Sequence, residues 1–497
     1  MNKKKLLFPL IAFIIPVLIR VIPEVLMGPY VVGFDTMGYY VPTTLLWLNG
    51  SVNLWSFIAI APLLYTLTAS FTWISGQLIL VLKILSPILL GLLGLSLYVY
   101  AKRGLGFTSK RSLLSALLGT LYFVALRVSW DALREECALI FLFIALTLLT
   151  LNLKSDKDSL KRYLFYSFAV TAVVLSNQVV AVLMLGILLF TAIHSSLRKK
   201  FSTVAKLVIF TLPAVLLFFT MLFLTNNIPE YRLIFGFPST NDGWLALFGY
   251  SSYQDMLTSE LGFILYCFLP LFPISLLAWK KFNNFQMRSW VVLILFVVFI
   301  PMVSPSALRL VMLLTYPLAF YATEGLNKLK SFNSKRIKGK LYRLGLIYLA
   351  SSTILLGAGF ILMSPANPFI YFRPGVNGYI YDIPTSMLQN TISIEDCRDT
   401  EIALNWLHNN MNGSSILLTH RVFYGWGLSI FDRNQVKLYE YGNPVDAAIS
   451  STAQGYNAVY LIWWVNGKGW NGQPTLPSSF NESYVSGKIA IYLYTAK

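Results

Sequence analysis

Charge is what this sequence has least of. Of its 497 residues 12% are Asp, Glu, Lys or Arg against 56% hydrophobic, and the mean hydropathy is +0.64. Soluble domains carry about twice that charged fraction, so an ordinary water-soluble fold is excluded and a polytopic helical membrane protein is expected. Acid is scarcer than base, 21 Asp+Glu against 39 Lys+Arg. In a soluble protein an excess of +18 would suggest a nucleic-acid partner, but its distribution decides otherwise. Residues 1–363 hold 31 basic and 12 acidic side chains, residues 364–497 hold 8 and 9. The excess belongs to the apolar part, where basic bias in short loops sets orientation, and nucleic acid drops out. Cysteine is nearly absent. Cys137, Cys267 and Cys397 lie far apart, two of them inside apolar runs, which excludes a disulfide framework and a thiolate metal site. No internal repeat or low-complexity tract is present.

What the sequence does have is long apolar runs separated by basic clusters. The run from Leu6 to about Met27 is too long for a signal-peptide core and reads as a retained first span. The N-terminal lysines and the segments 102–111, 154–162, 194–206, 280–288 and 327–343 hold 25 basic residues and two acids, Asp156 and Asp158, which places all six on the cytoplasmic side. The intervening loops, with Asp35, Asp131, Glu230, Asp242, Asp255 and Glu260, then face outward. Residues 163–193 run between two inside clusters and must cross an even number of times. Halves of about 15 residues reach only about 22 Å, so a broken hairpin turning near Ser176, Asn177 and Gln178 is expected. The total is about eleven spans, with the N-terminus cytoplasmic and the C-terminus outside. The sequons at Asn49, Asn412 and Asn481 all fall on the outer side.

Two regions are not plain spans. Residues 28–73, with Trp47, Trp55, Pro62 and Tyr65, read as interfacial helices. Residues 364–497 change to short alternations: helix over Asp399–Asn410, strand over Ser415–Thr419, strand over Val436–Tyr441, helix over Val445–Gln454, strand over Ala458–Val465 and a last strand over Lys488–Tyr494. That rhythm predicts a small extracytoplasmic α/β domain with a mostly parallel sheet, following a membrane domain over 1–363.

Ionisable residues in or beside apolar spans are costly and therefore informative. Here Arg20, Glu24, Asp35, Lys83, Arg127, Asp131, Arg134, Glu135, Glu136, Arg232 and Arg309 gather at the outer ends of spans, a charged cavity at the outer interface. A secondary transporter would place its site near the midplane between repeated halves.

The first outer loop reads Gly33-Phe34-Asp35-Thr36-Met37-Gly38-Tyr39-Tyr40-Val41-Pro42. An acid shortly before paired aromatics, then interfacial helices with Pro62-Leu63-Leu64-Tyr65, resembles the GT-C superfamily of polyprenyl-phosphate-sugar glycosyltransferases, which includes protein O-mannosyltransferases, lipid A aminoarabinose transferases and oligosaccharyltransferase. Trp130-Asp131-Ala132-Leu133-Arg134-Glu135-Glu136, the hairpin at Ser176, and Arg309 before Pro317 and Glu324-Gly325-Leu326 extend the resemblance over residues 1–330.

The resemblance implies a membrane transferase that moves a sugar, with inversion, from a polyprenyl (dolichyl) phosphate to a protein, lipid or glycan acceptor on the outer face. It implies Asp35 as the general base, and the bland alternative is a helix cap near Thr36. It implies Arg309 as the grip on the donor phosphate, with Arg127 and Arg134 beside it; the alternative for Arg309 is snorkelling to headgroups. Asp131, Arg134 and Glu135 are spaced to share one helical face, with Glu136 turned away, although acids in a first turn are also what the macrodipole favours. No cofactor is certain; a Mg²⁺ or Mn²⁺ held by Asp35, Asp131 and Glu135 is the candidate ion, while the oligosaccharyltransferase branch uses an Asp-x-Asp that is lacking here. In the last 134 residues His420, Arg421, Tyr424 and Trp426 follow a strand, and Trp463, Trp464, Asn466, Gly467, Lys468, Gly469 and Trp470 are candidates for stacking a sugar, with strand packing the alternative for the first two. The rival functions are a lipid-linked glycan flippase and a non-enzymatic membrane scaffold.

Overall fold

In hydrocarbon every backbone N–H and C=O must be satisfied within its own segment, so long apolar runs fold as helices. The computed structural model describes residues 3–50, 53–154, 159–227, 252–299, 307–330, 338–362, 393–439, 443–465 and 476–495. The chain opens with α1 (Lys3–Leu26), a π-helical turn (Thr36–Tyr40) that runs into α2 (Val41–Leu48), then α3 (Leu54–Ala59) and α4 (Leu63–Ser75). It continues through α5 (Leu78–Val99), α6 (Ser109–Leu121), α7 (Phe123–Asp131), α8 (Leu133–Lys154), α9 (Leu160–Ser176), α10 (Gln178–Leu197) and α11 (Phe201–Asn227). There follow α12 (Tyr253–Phe268), α13 (Phe272–Ala278), α14 (Phe285–Val298), α15 (Ala307–Met312), α16 (Thr315–Lys330) and α17 (Lys338–Leu362).

Among the described residues six of these helices, α1, α5, α8, α10, α11 and α17, are long and apolar enough to cross a bilayer alone. The pairs α6–α7 and α12–α13 qualify as spans bent by 58° and 88°. The other three expected spans coincide with α9, α14 and the pair α15–α16, which are not long and apolar enough to cross alone, so eight of the eleven expected spans are matched by crossing-length helices or bent pairs among the described residues. The hairpin breaks at Asn177, whose side chain accepts from the Val180 N–H and caps α10. Its arms are 17 and 20 residues, longer than the expected halves, because both helices continue into the flanking polar segments. The stretch 28–73 forms the short helices α2, α3 and α4 as expected.

The boundary expected at 363/364 lies outside the described residues. The C-terminal unit comprises α18 (Ile394–Asn410), β1 (Ser415–Thr419), α19 (Arg421–Ile430), β2 (Val436–Leu438), α20 (Pro444–Ala453), β3 (Ala458–Trp464), β4 (Phe480–Ser486) and β5 (Ile489–Tyr494). Its sheet has the order β2-β1-β3-β5-β4, with β1 parallel to β2 and β3, and β5 antiparallel to β3 and β4. The expectation of a mostly parallel sheet is therefore corrected to a mixed one. The tight turn at Gly487 and Lys488 makes β4 and β5 antiparallel, since a two-residue loop joins strands only in that fashion, and β5 also runs antiparallel to β3. β4 itself, Phe-Asn-Glu-Ser-Tyr-Val-Ser, is too polar to read as a strand, and α19 was hidden by Gly425 and Gly427, which lower helix propensity.

Candidate active site

Gly33 sets the approach of the first loop to the second. It has φ +86°, and a Cβ built on it would stand 2.5 Å from Asp131 Cβ and 3.0 Å from the Trp130 carbonyl oxygen, so only glycine serves. Immediately after it the chain turns helical. Asp35 has φ −63° and ψ −23°, and its carboxylate makes no capping hydrogen bond to the turn it precedes. The helix-cap explanation of this acid is thereby removed.

Asp131 ends α7, and Ala132, at φ −97° and ψ 50°, breaks the helix before α8 begins. Asp131, Arg134 and Glu135 thus do not share one helical face, which corrects the expectation drawn from their spacing. Asp131, 1% exposed, pairs with Arg127, and its Oδ2 has no hydrogen-bond partner among the described residues. The Tyr40 hydroxyl donates to the Asp131 carbonyl at 3.0 Å and accepts from the Arg134 N–H at 3.4 Å, tying the break to the first loop. Nothing in the sequence marked this phenol beyond its place in the aromatic pair. Arg134 turns elsewhere: its Nε donates to the Ser176 carbonyl at 3.4 Å and its guanidinium lies 5.7 Å from the Tyr65 ring centre.

Arg309, from α15, joins the two loops. Its Nη1 donates to Glu135 Oε1 at 3.1 Å, and its Nη2 reaches Asp35 Oδ2 at 3.5 Å. The guanidinium side chain is 45% exposed, Asp35 20% and Glu135 6%, so a cation open to solvent faces two largely enclosed carboxylates. Burial pushes the Asp35 carboxyl up to about 7; the Asp131 charge adds to the rise, while Arg309 and Arg127 oppose it. An acid that titrates near neutrality, beside a half-exposed guanidinium, is suited to taking a proton close to where a phosphate charge would be held.

The fold compares with known proteins in its architecture, not in its sequence. No protein-family model and no curated protein matches the sequence. Among solved structures, ArnT from Cupriavidus metallidurans, bound to undecaprenyl phosphate, superposes with TM-score 0.55 over 100% of this chain and 99% of its own at 11% identity. The apo oligosaccharyltransferase of Archaeoglobus fulgidus gives TM-score 0.59 over 93% of this chain and 70% of its own at 12% identity. The chain has the GT-C fold.

Within this GT-C fold the outer charges expected to form one cavity divide in two. Arg20 and Glu24 pair at 2.8 Å, and Arg20 also donates to the carbonyls of Ser129 and Trp130 at 3.1 and 3.2 Å. Lys83 Nζ donates to the carbonyls of Glu24 and Tyr30, each at 2.6 Å. Arg20 and Lys83 thereby hold the backbones of both loops, and none of these bonds reaches the Asp35 group. Glu136 is fully buried. Arg232, Glu230 and Asp242 lie outside the described residues.

The metal expectation does not fit the arrangement found. Among the described residues no three His, Cys, Asp or Glu side chains are grouped to hold an ion, since Asp131 is turned to Arg127 while Asp35 and Glu135 share Arg309. In the C-terminal unit of this GT-C fold His420 caps α19. Trp463 and Trp464, the last two residues of β3, are each 3% exposed and meet edge-on at 5.4 Å, so they pack in the core of the unit and offer no open face to a sugar. Asn466, Gly467, Lys468, Gly469 and Trp470 lie outside the described residues.

Proposed function

We propose that the protein is a membrane glycosyltransferase that moves a sugar, with inversion, from a polyprenyl phosphate to an acceptor hydroxyl, with Asp35 as general base. The observation that carries this reading is Arg309 bridging Asp35 and Glu135 while 45% exposed. The guanidinium is half-open, so an incoming phosphate can reach it from the solvent side and draw its charge away from the two carboxylates. Asp35 then loses a neighbouring cation and becomes the stronger base. The acceptor oxygen attacks the anomeric carbon, its proton passes to Asp35, and the electron pair of the breaking carbon–oxygen bond leaves on the phosphate. That phosphate gains negative charge as the bond breaks, and Arg309 stabilises it there. The undecaprenyl phosphate bound to ArnT, a protein of the same fold, supports a polyprenyl phosphate as the lipid.

The test is product formation. Purified protein in nanodiscs, given a panel of polyprenyl-phosphate sugars together with protein, lipid and glycan acceptors, should release polyprenyl phosphate and a new glycoside by mass spectrometry; lipid translocation without a glycosidic product would favour a flippase and sink this reading. The reaction should also report its base. Since Asp35 works deprotonated and its carboxyl is raised to about 7, kcat/KM should fall as pH drops through about 7, and the residual rate of Asp35→Asn should be flat over the same range. A wild-type profile flat from pH 5 to 8 would remove the base assignment.

The site belongs, in this reading, on the extracytoplasmic side. A reporter fused after Lys497, or placed between Asp242 and Glu260, should lie outside, and one after Lys335 inside. Cytoplasmic labelling of a cysteine placed near Asn481 would overturn that orientation.

A further inference from the structure

We infer that α19 of the C-terminal unit positions the turn that carries Asp35, with Gly425 and Arg421 as the positioning residues; the inference rests on the reading of Asp35 as the base. The turn from Gly33 to Pro42 is held on two sides. On one, Gly33 lies against Asp131 of the second loop, where a Cβ would come within 2.5 Å of Asp131 Cβ. On the other, α19 presses against the turn with no side chain between: a Cβ on Gly425 would stand 2.0 Å from the Met37 carbonyl oxygen, 3.0 Å from its carbon and 3.3 Å from Pro42 Cδ. Backbone meets backbone there, so no flexible side chain can give way.

Arg421, one turn earlier on the same helix, fixes the register of this contact. Its guanidinium lies 4.7 Å from the centre of the Tyr39 ring, and its Cγ would be 3.4 Å from a Cβ on Gly38. A second hold stands further out, where the Tyr30 hydroxyl donates to Glu401 of α18 at 3.1 Å and the Tyr30 ring meets Trp426 edge-on at 5.5 Å. Asp35 is two residues from Met37 and three from Gly38. Its distance to Arg309, and to an acceptor hydroxyl, is thus set by elements more than 350 residues away along the chain. The donor grip, Arg309 on α15, does not touch α19 through any of these contacts. Displacing the turn should therefore change the chemical step while leaving donor binding intact.

The experiment uses the full-length protein in nanodiscs with a polyprenyl-phosphate sugar as donor, comparing wild type, Gly425→Ala, Arg421→Ala, Arg421→Lys, Asp35→Asn and Gly413→Ala. Gly413 is the control, because a Cβ there meets nothing within 4 Å. Gly425→Ala and Arg421→Ala should lower kcat by at least about tenfold, since a misplacement of about 1 Å is costly in a bimolecular transfer, with donor KM within about twofold of wild type. Arg421→Lys should recover part of the loss by keeping a cation over Tyr39, and Gly413→Ala should match wild type. Hydrogen exchange should quicken over residues 33–42 and stay unchanged over α8, which separates a positioning effect from general destabilisation. Wild-type kcat in both Gly425→Ala and Arg421→Ala, or equal losses in kcat and in donor binding with faster exchange throughout, would overturn the inference while Asp35→Asn remained inactive. Normal turnover of Asp35→Asn would instead overturn the base reading, and the assignment of positioning residues with it.

Discussion

Asp35→Asn is expected to lower transfer by at least about 10²-fold while its melting temperature at pH 8 stays at or above that of wild type. The two halves of this result have one cause. The Asp35 carboxyl is raised to about 7 because burial and the Asp131 charge disfavour its ionised form. A carboxyl raised in the folded state binds its proton more tightly than in the unfolded chain. The folded state therefore loses stability as pH climbs from the usual carboxylate range to about 7, and above that the full cost of the charge is present. An amide of the same shape carries no such cost. It does forfeit the charge attraction to Arg309, but that contact is long at 3.5 Å and Arg309 keeps Glu135 at 3.1 Å. An amide also cannot take the acceptor's proton, so the rate falls while the fold does not. Initial rates and thermal melts of the purified variant check both. Near-normal turnover would remove Asp35 from the chemistry, and a melting temperature well below wild type would mean that its charge is structural.

Composition made the membrane architecture legible, because apolar length and basic loops are direct consequences of the bilayer. Asn177, a polar residue between two apolar arms, marked the hairpin break correctly. The candidate residues could be read from the sequence, but which of them the fold brings together could not. Sequence gives the depth of a charged residue along its span, but not which neighbouring helix it faces. Arg20 therefore fell in with Asp35, whereas the structure turns it to Glu24 and to the carbonyls of Ser129 and Trp130. The break at Ala132 had no Gly or Pro to announce it; it is accompanied by tertiary bonds from Tyr40 that no local pattern records. β4 and α19 escaped for opposite reasons. β4 is polar because most of its side chains are exposed, while α19 carries a helix-weakening glycine where its backbone must meet that of Met37.

Arg309→Ala is expected to lower transfer about 10²–10³-fold, the loss usual when one donor to a developing oxyanion is removed. Arg309→Lys should fall between Ala and wild type. Lysine keeps the charge but offers a point cation, whereas the guanidinium can hold two phosphate oxygens at once in a planar fork. Snorkelling predicts a different series, because either cation can reach headgroups from a span end and Lys would then match Arg. The geometry already separates these explanations in part: a side chain stretched towards headgroups would not converge on Glu135 at 3.1 Å and Asp35 at 3.5 Å. It also ranks the three arginines expected to hold the phosphate. Arg127 is 8% exposed and paired with Asp131, and Arg134 is turned to Ser176 and Tyr65, so Arg309 alone of the three stands half-open between the two loops. The assay is transfer rate against donor concentration with a melting control. Equal curves for wild type, Lys and Ala would take Arg309 out of the site. A loss confined to Ala would leave it the role of a simple charge, with the planar fork contributing nothing. A graded loss, Lys then Ala, with melting temperatures unchanged, would place a two-oxygen phosphate contact at Arg309, within reach of the carboxylate that takes the proton.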